Sequence, residues 1–199
     1  MKIQRALISV SDKTEIVDFA RELSTRGVEI IATNGTLKVL KQSGIRFVKN
    51  VSDVTNFPEI LDGRIKTIHP KLIGGLLALR DKKSHMDELE ELEVETVDMV
   101  VCNLYPVEKE VAHDGNLRAV LDEIDIGGVN LIRASAKNFE NVVVITNCSQ
   151  YTQILKELQE KGDVSIQTRH ILAIEAFKKT ARYDQAIYEF LQKAMDFVQ

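Results

Sequence analysis

The amino-acid sequence predicts an α/β fold in three layers: a mainly parallel sheet with helices on both faces, followed by a C-terminal helical segment. Three observations carry that expectation. Short apolar runs rich in β-branched residues recur along the first 148 positions, stretches of helical period separate them, and from Ser149 onward no further strand-like run occurs. Strands buried on both faces read as continuous apolar runs, and helices must cover those faces. The chain, 1–199, is read as a single domain with 1–148 as the sheet core and 149–199 as a helical extension packed on it.

The elements follow in order. "RALISV" reads as the first strand, and "SDKTEIVDFARELSTRG" as a helix, since Ile16, Phe19, Ala20 and Leu23 recur at helical spacing before Gly27 ends the pattern. "VEIIAT" is a second strand that "NGT" breaks, "LKVLKQSG" a short helix ending at Gly44, and "IRFVKNV" a third strand. "MDELEELEVE" reads as a charged surface helix. "VDMVVCNLYP" is the strongest buried strand and is stopped by Pro106. "LRAVLDEI" and the segment after "DIGG" are helical, and "NVVVIT" is another apolar strand. From Ser165 onward a longer helical run carries Ile171, Ile174, Phe177, Ala181, Ile187 and Leu191 on its apolar period.

Composition narrows the function classes. With 199 residues and 44% hydrophobic residues the chain buries enough surface to fold without staples. Its net charge of -4, with basic residues dispersed among acidic ones, gives no broad basic face for nucleic acid. Cys102 and Cys148 are the only cysteines and lack zinc-ligand spacing, so each is expected to pack as a small apolar residue. The four histidines do not suggest a metal site: His85, His113 and His170 are scattered and are expected in surface or helix-packing roles, while His69, in "GRIKTIHPK", is expected either to shape that loop or to touch a ligand. The acidic run Asp87 to Glu95 reads as a solvated helix face. No run approaches the roughly 18 apolar residues of a membrane span, and the chain reads as cytoplasmic.

Ligands of open α/β folds sit outside the carboxyl ends of the strands. After the first strand, "SVSDKT" offers Ser11 or Asp12 as a helix cap with Lys13 beside the exposed N–H groups, a seat for phosphate. "TNGT" offers two hydroxyls and a glycine. "NLYP" and "EIDIGGVNLIRASAKN" follow later strands, and "LDGRIKTIHPK" puts Arg64, Lys66, His69 and Lys71 on what reads as a loop. Together these point to a phosphorylated small molecule. Each motif also has a structural reading: an N-cap for "SDKT", a turn for "TNGT", a capped loop at Asp125, a solvated helix face for Lys137 four residues after Arg133. The basic loop is harder to explain that way, since a loop gains nothing structurally from four potential cations.

The order of "ALISVSDKT", "ATNGT", "SDVTNFPEILDGRIKTIHPKLIGGLLALR", "VVCNLYP", "EIDIGGVNLIRASAKN" and "AFKKTARYDQAI" along one chain resembles the inosine monophosphate cyclohydrolase domain. In that family it forms the N-terminal part of a bifunctional purine-biosynthesis enzyme. The resemblance covers nearly the whole chain and implies a methylglyoxal-synthase-like fold. It also implies closure of 5-formamidoimidazole-4-carboxamide ribonucleotide to inosine monophosphate with loss of water, without metal or cofactor. A nucleotide is the expected ligand. A homodimer and a separate transformylase that supplies the formylated substrate are the partners the resemblance allows, with no nucleic acid and no membrane. The formyltransferase part lies outside this sequence, which is read as a stand-alone cyclohydrolase or one domain of a longer protein.

The resemblance implies roles residue by residue. Ser9, Ser11, Lys13, Thr33, Asn34, Gly35 and Thr36 would hold the 5′-phosphate. Arg64, Lys66 and Thr67 would lie over the base, with Lys66 stabilising the formyl oxyanion. Asp125 would orient or deprotonate the attacking amide, and Lys137 would assist departure of the hydroxyl as water. Tyr105 and Asn103 would complete the polar lining beside Ile126, and Gly127 would leave space for the substrate. Asn34 stands where the family usually has glycine, Thr33 where serine is common, and Val107 where phenylalanine is common. Two rivals share the fold: a non-catalytic module sensing a phosphorylated metabolite, and a methylglyoxal-producing lyase.

Overall fold

A computed structural model describes residues 2–105 and 117–196. Pro106, Val107 and His113 lie outside the described residues. Five strands, Arg5–Val10 (β1), Glu29–Ala32 (β2), Val48–Asn50 (β3), Met99–Asn103 (β4) and Val143–Ile145 (β5), form a parallel sheet in the order β3-β2-β1-β4-β5. Consecutive residues such as Ala6, Leu7 and Ile8, or Val143, Val144 and Ile145, are all fully buried. That is why these strands show unbroken apolar runs.

Helices flank the sheet. Ile16–Thr25 (α1), Asn34–Gln42 (α2), Val51–Thr55 (α3), Pro70–Leu77 (α4) and Lys83–Glu91 (α5) precede β4. Leu117–Glu123 (α6) and Ile126–Lys137 (α7) follow it, and Tyr151–Lys161 (α8) and Ile166–Asp196 (α9) complete the chain after β5. Helix α1 touches α2 and α8, with Phe19 stacked on Tyr151 at 4.3 Å between ring centroids. Helix α4 touches α3 and α7, and α9 lies along α7 and β5. Leu172, Ala173, Ala176 and Tyr183 of α9 join the same buried cluster as the strands.

The structure corrects three local expectations. Helix α1 is not capped by Ser11 or Asp12: its N-cap is Glu15, in a left-handed conformation without a side-chain cap bond. Asp12 instead accepts bonds from the Thr14 N–H and hydroxyl, a turn of its own. The "NGT" break after β2 is the first turn of α2 itself. In α9 the stripe containing Ile171, Ile174 and Phe177 faces outward, with Ile171 55% and Ile174 57% exposed. The buried face is the neighbouring one, Leu172, Ala173, Ala176, Thr180 and Tyr183. Its small residues let the helix approach α7 closely, and hydropathy alone ranks such a face below an isoleucine stripe.

Candidate functional site

The strand order reverses between β1 and β4, and in parallel sheets such a reversal opens a crevice at the strands' carboxyl ends. A cavity of about 600 Å³ lies there, lined by Ser9, Ser11 and Lys13, by Thr33 through Thr36, by Arg64, Lys66 and Thr67 and by Ile124 through Gly128, with Asn103 and Tyr105. That volume suits a small molecule of nucleotide size.

One end of the cavity is made by the start of α2. Thr33 occupies the N-cap in an extended conformation, but its hydroxyl does not cap the helix; it donates to Ser9 Oγ at 3.3 Å. Leu37 N–H closes the first helical bond, on Thr33 O at 2.8 Å, so the preceding N–H groups have no partner within the helix. A Cβ at Gly35 would meet nothing within 4 Å, which leaves the backbone there bare toward the cavity. Thr36 is buried, and its hydroxyl bonds the Val10 backbone on both sides at 3.4 Å, so it fixes α2 to β1 and offers the cavity its backbone alone. The Lys13 ammonium reaches back to the carbonyls of Val10 and Ser11. Burial holds its pKa below the ordinary 10.5; Asp12 works the other way, and nearby Lys66 adds to the lowering.

Asn103 shapes the adjoining loop rather than standing as free lining. Its Oδ1 accepts from the N–H groups of Ser11 at 2.6 Å and Asp12 at 3.0 Å and from the Ser11 hydroxyl at 3.0 Å. Its Nδ2 donates to Asp12 O at 2.9 Å. The β1–β4 register, which pairs Val10 with Asn103, puts the amide where it can do this.

The opposite wall comes from the segment before α4 and the start of α7. The region read as one basic loop divides. A 3₁₀ turn spans Leu61–Gly63, Ile60 and Ile65 pair across it, and Pro70 already opens α4. His69 caps α4 by accepting from Lys71 N–H at 3.2 Å and does not line the cavity. Lys71 lines a separate groove with Arg5 and Glu93. Arg64 faces the cavity but is paired with Asp122. Lys66 has no carboxylate at ion-pair distance among the described residues. Thr67 is 1% exposed and its Oγ1 has no hydrogen-bond partner among them. A buried hydroxyl left unpaired in a cavity wall is a place for a ligand atom.

Asp125 caps α7, accepting from Gly128 N–H at 2.6 Å, while its own N–H donates to the Tyr183 hydroxyl at 2.8 Å. Gly127 lines the cavity, and a Cβ there would lie 2.5 Å from Thr67 Oγ1, so the glycine makes room for Thr67. Gly128 is required by the cap, since a Cβ would lie 2.4 Å from Asp125 Oδ2. Ile126, 61% exposed, and Leu121 give the wall an apolar ledge. Lys137 is absent from the lining and exposed at the far end of α7. At 1.5 Å rise per residue it stands about 17 Å along the helix from Ile126. Cys102 is fully buried beside the site, its thiol pKa raised by burial and by Asp125, and it packs as an apolar residue.

Residues 15–130, more than half of the chain, match the model of the MGS-like domain. The chain belongs to the MGS-like domain family. Residues 135–199 match a second model, described as AICARFT/IMPCHase bienzyme. Among curated relatives, the bifunctional purine biosynthesis protein PurH of Acetivibrio thermocellus is 50% identical over 192 residues, 96% of this chain and 37% of that protein. The PurH of Bacillus subtilis is 44% identical over 192 residues, again 96% of this chain. The chain thus spans well under half the length of these relatives. Among solved structures, the crystal structure of ForH superposes with a TM-score of 0.81 at 31% identity, covering 94% of this chain and 98% of ForH. Sequence reasoning missed Tyr183, whose hydroxyl holds the Asp125 backbone from 58 residues away, and Asp122, which holds Arg64. The segment "AFKKTARYDQAI" carried a signal for the tyrosine, but not for what it touches.

Proposed function

We propose that the chain is an inosine monophosphate cyclohydrolase. The observation that carries this reading is one cavity in which a bare helix start and Lys13 face a wall bearing Lys66, the unpaired Thr67 hydroxyl and the Asp125 cap. The relatives' own name, bifunctional purine biosynthesis protein, supports this reading.

The phosphate of the substrate sits on the first N–H groups of α2, with Lys13 and the Ser9 and Ser11 region beside it. The imidazole carboxamide lies along the Ile126 ledge. The carboxamide nitrogen attacks the formyl carbon of the same molecule, forming a C–N bond and a carbinolamine oxyanion, so the chain's task is to hold one rotamer and manage charge. Lys66 stabilises that oxygen, and the Thr67 hydroxyl gains the partner it lacks. The Asp125 carboxylate orients the amide and takes its proton. The oxyanion then takes up the proton held by Asp125, and the carbinolamine C–O bond breaks as Tyr105 on the cavity wall protonates the departing hydroxyl. The C=N bond forms as the former formamide nitrogen gives up its proton to the tyrosinate, so that one oxygen and two protons leave as water. The balance is a dehydration. Lys137 is left without a role in these steps. A transformylase, fused in longer forms or separate, would supply the formylated substrate in the cytoplasm, and self-association as a homodimer belongs to the same proposal.

An ultraviolet progress curve with formylated substrate tests the reading. Rapid formation of inosine monophosphate by the wild-type chain, lost in Lys66→Ala, is the expected result. No acceleration over the uncatalysed reaction would overturn it, and methylglyoxal release from dihydroxyacetone phosphate would replace it with the lyase.

A further inference from the structure

We infer that Asn34 and Glu59 are positioning residues that couple the phosphate end of the cavity to the loop carrying Lys66, an inference that rests on the cyclohydrolase reading. The starting point is the loop's own geometry. Ile60 and Ile65 exchange both backbone bonds, Ile60 N–H to Ile65 O at 3.1 Å and Ile65 N–H to Ile60 O at 3.3 Å. The bridge is isolated, and the residues that flank it on the side away from the turn are Glu59 and Lys66. Both line the same small hollow with Asn34 and Asn50.

The turn that joins them is strained. Leu61, Asp62 and Gly63 are left-handed in succession, with φ of 53, 52 and 88°. For the two residues with a Cβ this costs about 1–2 kcal/mol each. Two backbone bonds closing a strained turn are a weak hold on a side chain that must meet a developing charge.

Glu59 supplies the further hold. Its Oε2 accepts from Asn34 Nδ2, and its Oε1 lies against the bare Cα of Gly63, where a Cβ would come within 2.6 Å. Asn34, the first residue of α2, is held in turn by Asn50 Nδ2 at 2.6 Å on its Oδ1. Asn50 caps α3 by accepting from Ser52 N–H at 3.2 Å. The chain of contacts Asn50, Asn34, Glu59, Gly63 therefore ties the ends of β2 and β3 to the strained turn. Glycine, usual at position 34 in the resembling family, cannot make this link. A carboxylate lining an anion cavity opposes binding on electrostatic grounds; anchored through Asn34, Glu59 fixes the backbone opposite Lys66 instead.

The test is steady-state ring closure by wild type, Asn34→Gly, Glu59→Ala, their double variant and Glu59→Gln, with hydrogen exchange at the Ile60 and Ile65 amides. Each single variant lowers kcat about tenfold with KM within about twofold, as for a misplaced catalytic group. The double variant is no slower than the slower single one, because both break one link. Glu59→Gln, whose amide oxygen still accepts from Asn34, recovers most of the loss. Ile65 N–H exchange accelerates in Glu59→Ala without a change in Tm. Additive losses, an effect confined to KM, or Glu59→Gln as slow as Glu59→Ala would overturn the inference. A wild-type chain without cyclisation would sink the cyclohydrolase reading alone, while unchanged exchange in Glu59→Ala would sink the coupling alone.

Discussion

The two ends of the sheet treat charge in opposite ways. At the amino end of β1 and β4, Asp98 is 3% exposed and fully engaged: Oδ2 accepts from Gln4 N–H at 2.6 Å and Arg5 N–H at 2.8 Å, and Oδ1 from Arg80 at 2.5 Å. Arg5 reaches Glu29 at 2.6 Å, Glu95 at 2.7 Å and Thr96 O at 2.8 Å, and Lys49 pairs with the same Glu29. At the carboxyl end, Lys66 has no such carboxylate, Lys13 leans on carbonyl oxygens, and Thr67 Oγ1 is unpaired, each among the described residues. One end is closed upon itself and serves stability. The other is left open for a ligand to complete, and the same strands carry both.

The contrast breaks most visibly at Asp98. Asp98→Ala removes the buried carboxylate that accepts from the Gln4 and Arg5 N–H groups and from Arg80, and should lower unfolding stability by about 3–5 kcal/mol, read by urea titration, while any chain still folded keeps its turnover. An equal loss of activity per folded molecule would show that the two ends are not separate. At the open end, Lys66→Ala should reduce kcat by about 10²–10³-fold and shift the urea midpoint hardly at all, which stopped-flow and equilibrium unfolding together would check.

Smaller substitutions sharpen the picture. Gly127→Ala should cost about 1–3 kcal/mol in stability, because the new methyl collides with Thr67 Oγ1; an unshifted Tm would mean Thr67 turns away freely. Thr67→Val removes an unpaired buried hydroxyl. The free chain should become more stable by about 1 kcal/mol while inosine monophosphate binds more weakly by calorimetry. Loss of stability without loss of affinity would assign the hydroxyl to the fold.

The least of the effects is at the closed end. Burial pushes the Glu29 carboxyl up, but bonds from Lys49 and Arg5 outweigh it and hold the pKa below the ordinary 4.5. A lowered folded pKa contributes stability that is present above 4.5 and lost as pH falls through the lowered value. Glu29→Gln should therefore flatten the acid limb of the stability curve below pH 4.5, and an unchanged limb would remove Glu29 from it.

Much of this was legible in the linear chain. The apolar runs at Ala6–Ile8, Val100–Cys102 and Val143–Ile145 announced strands buried on both faces, because such strands have no polar side to alternate with. The motifs after them named Lys13, Gly35, Lys66, Thr67 and Asp125, and the cavity gathers all of them. Local chemistry could go that far: residue types, helical period and turn signals act over a few positions. It could not place Lys137, because "ASAKN" does not say which end of its helix meets the cavity. It could not choose between two apolar stripes on α9, or see that Gly127 yields to Thr67. The strand order, the Asn103 clamp across 92 residues and the Tyr183 bond to Asp125 across 58 are contacts between distant segments. These were decided only when the sheet and its helices packed, since a hydrogen bond between such segments exists only where the whole core holds both ends in register.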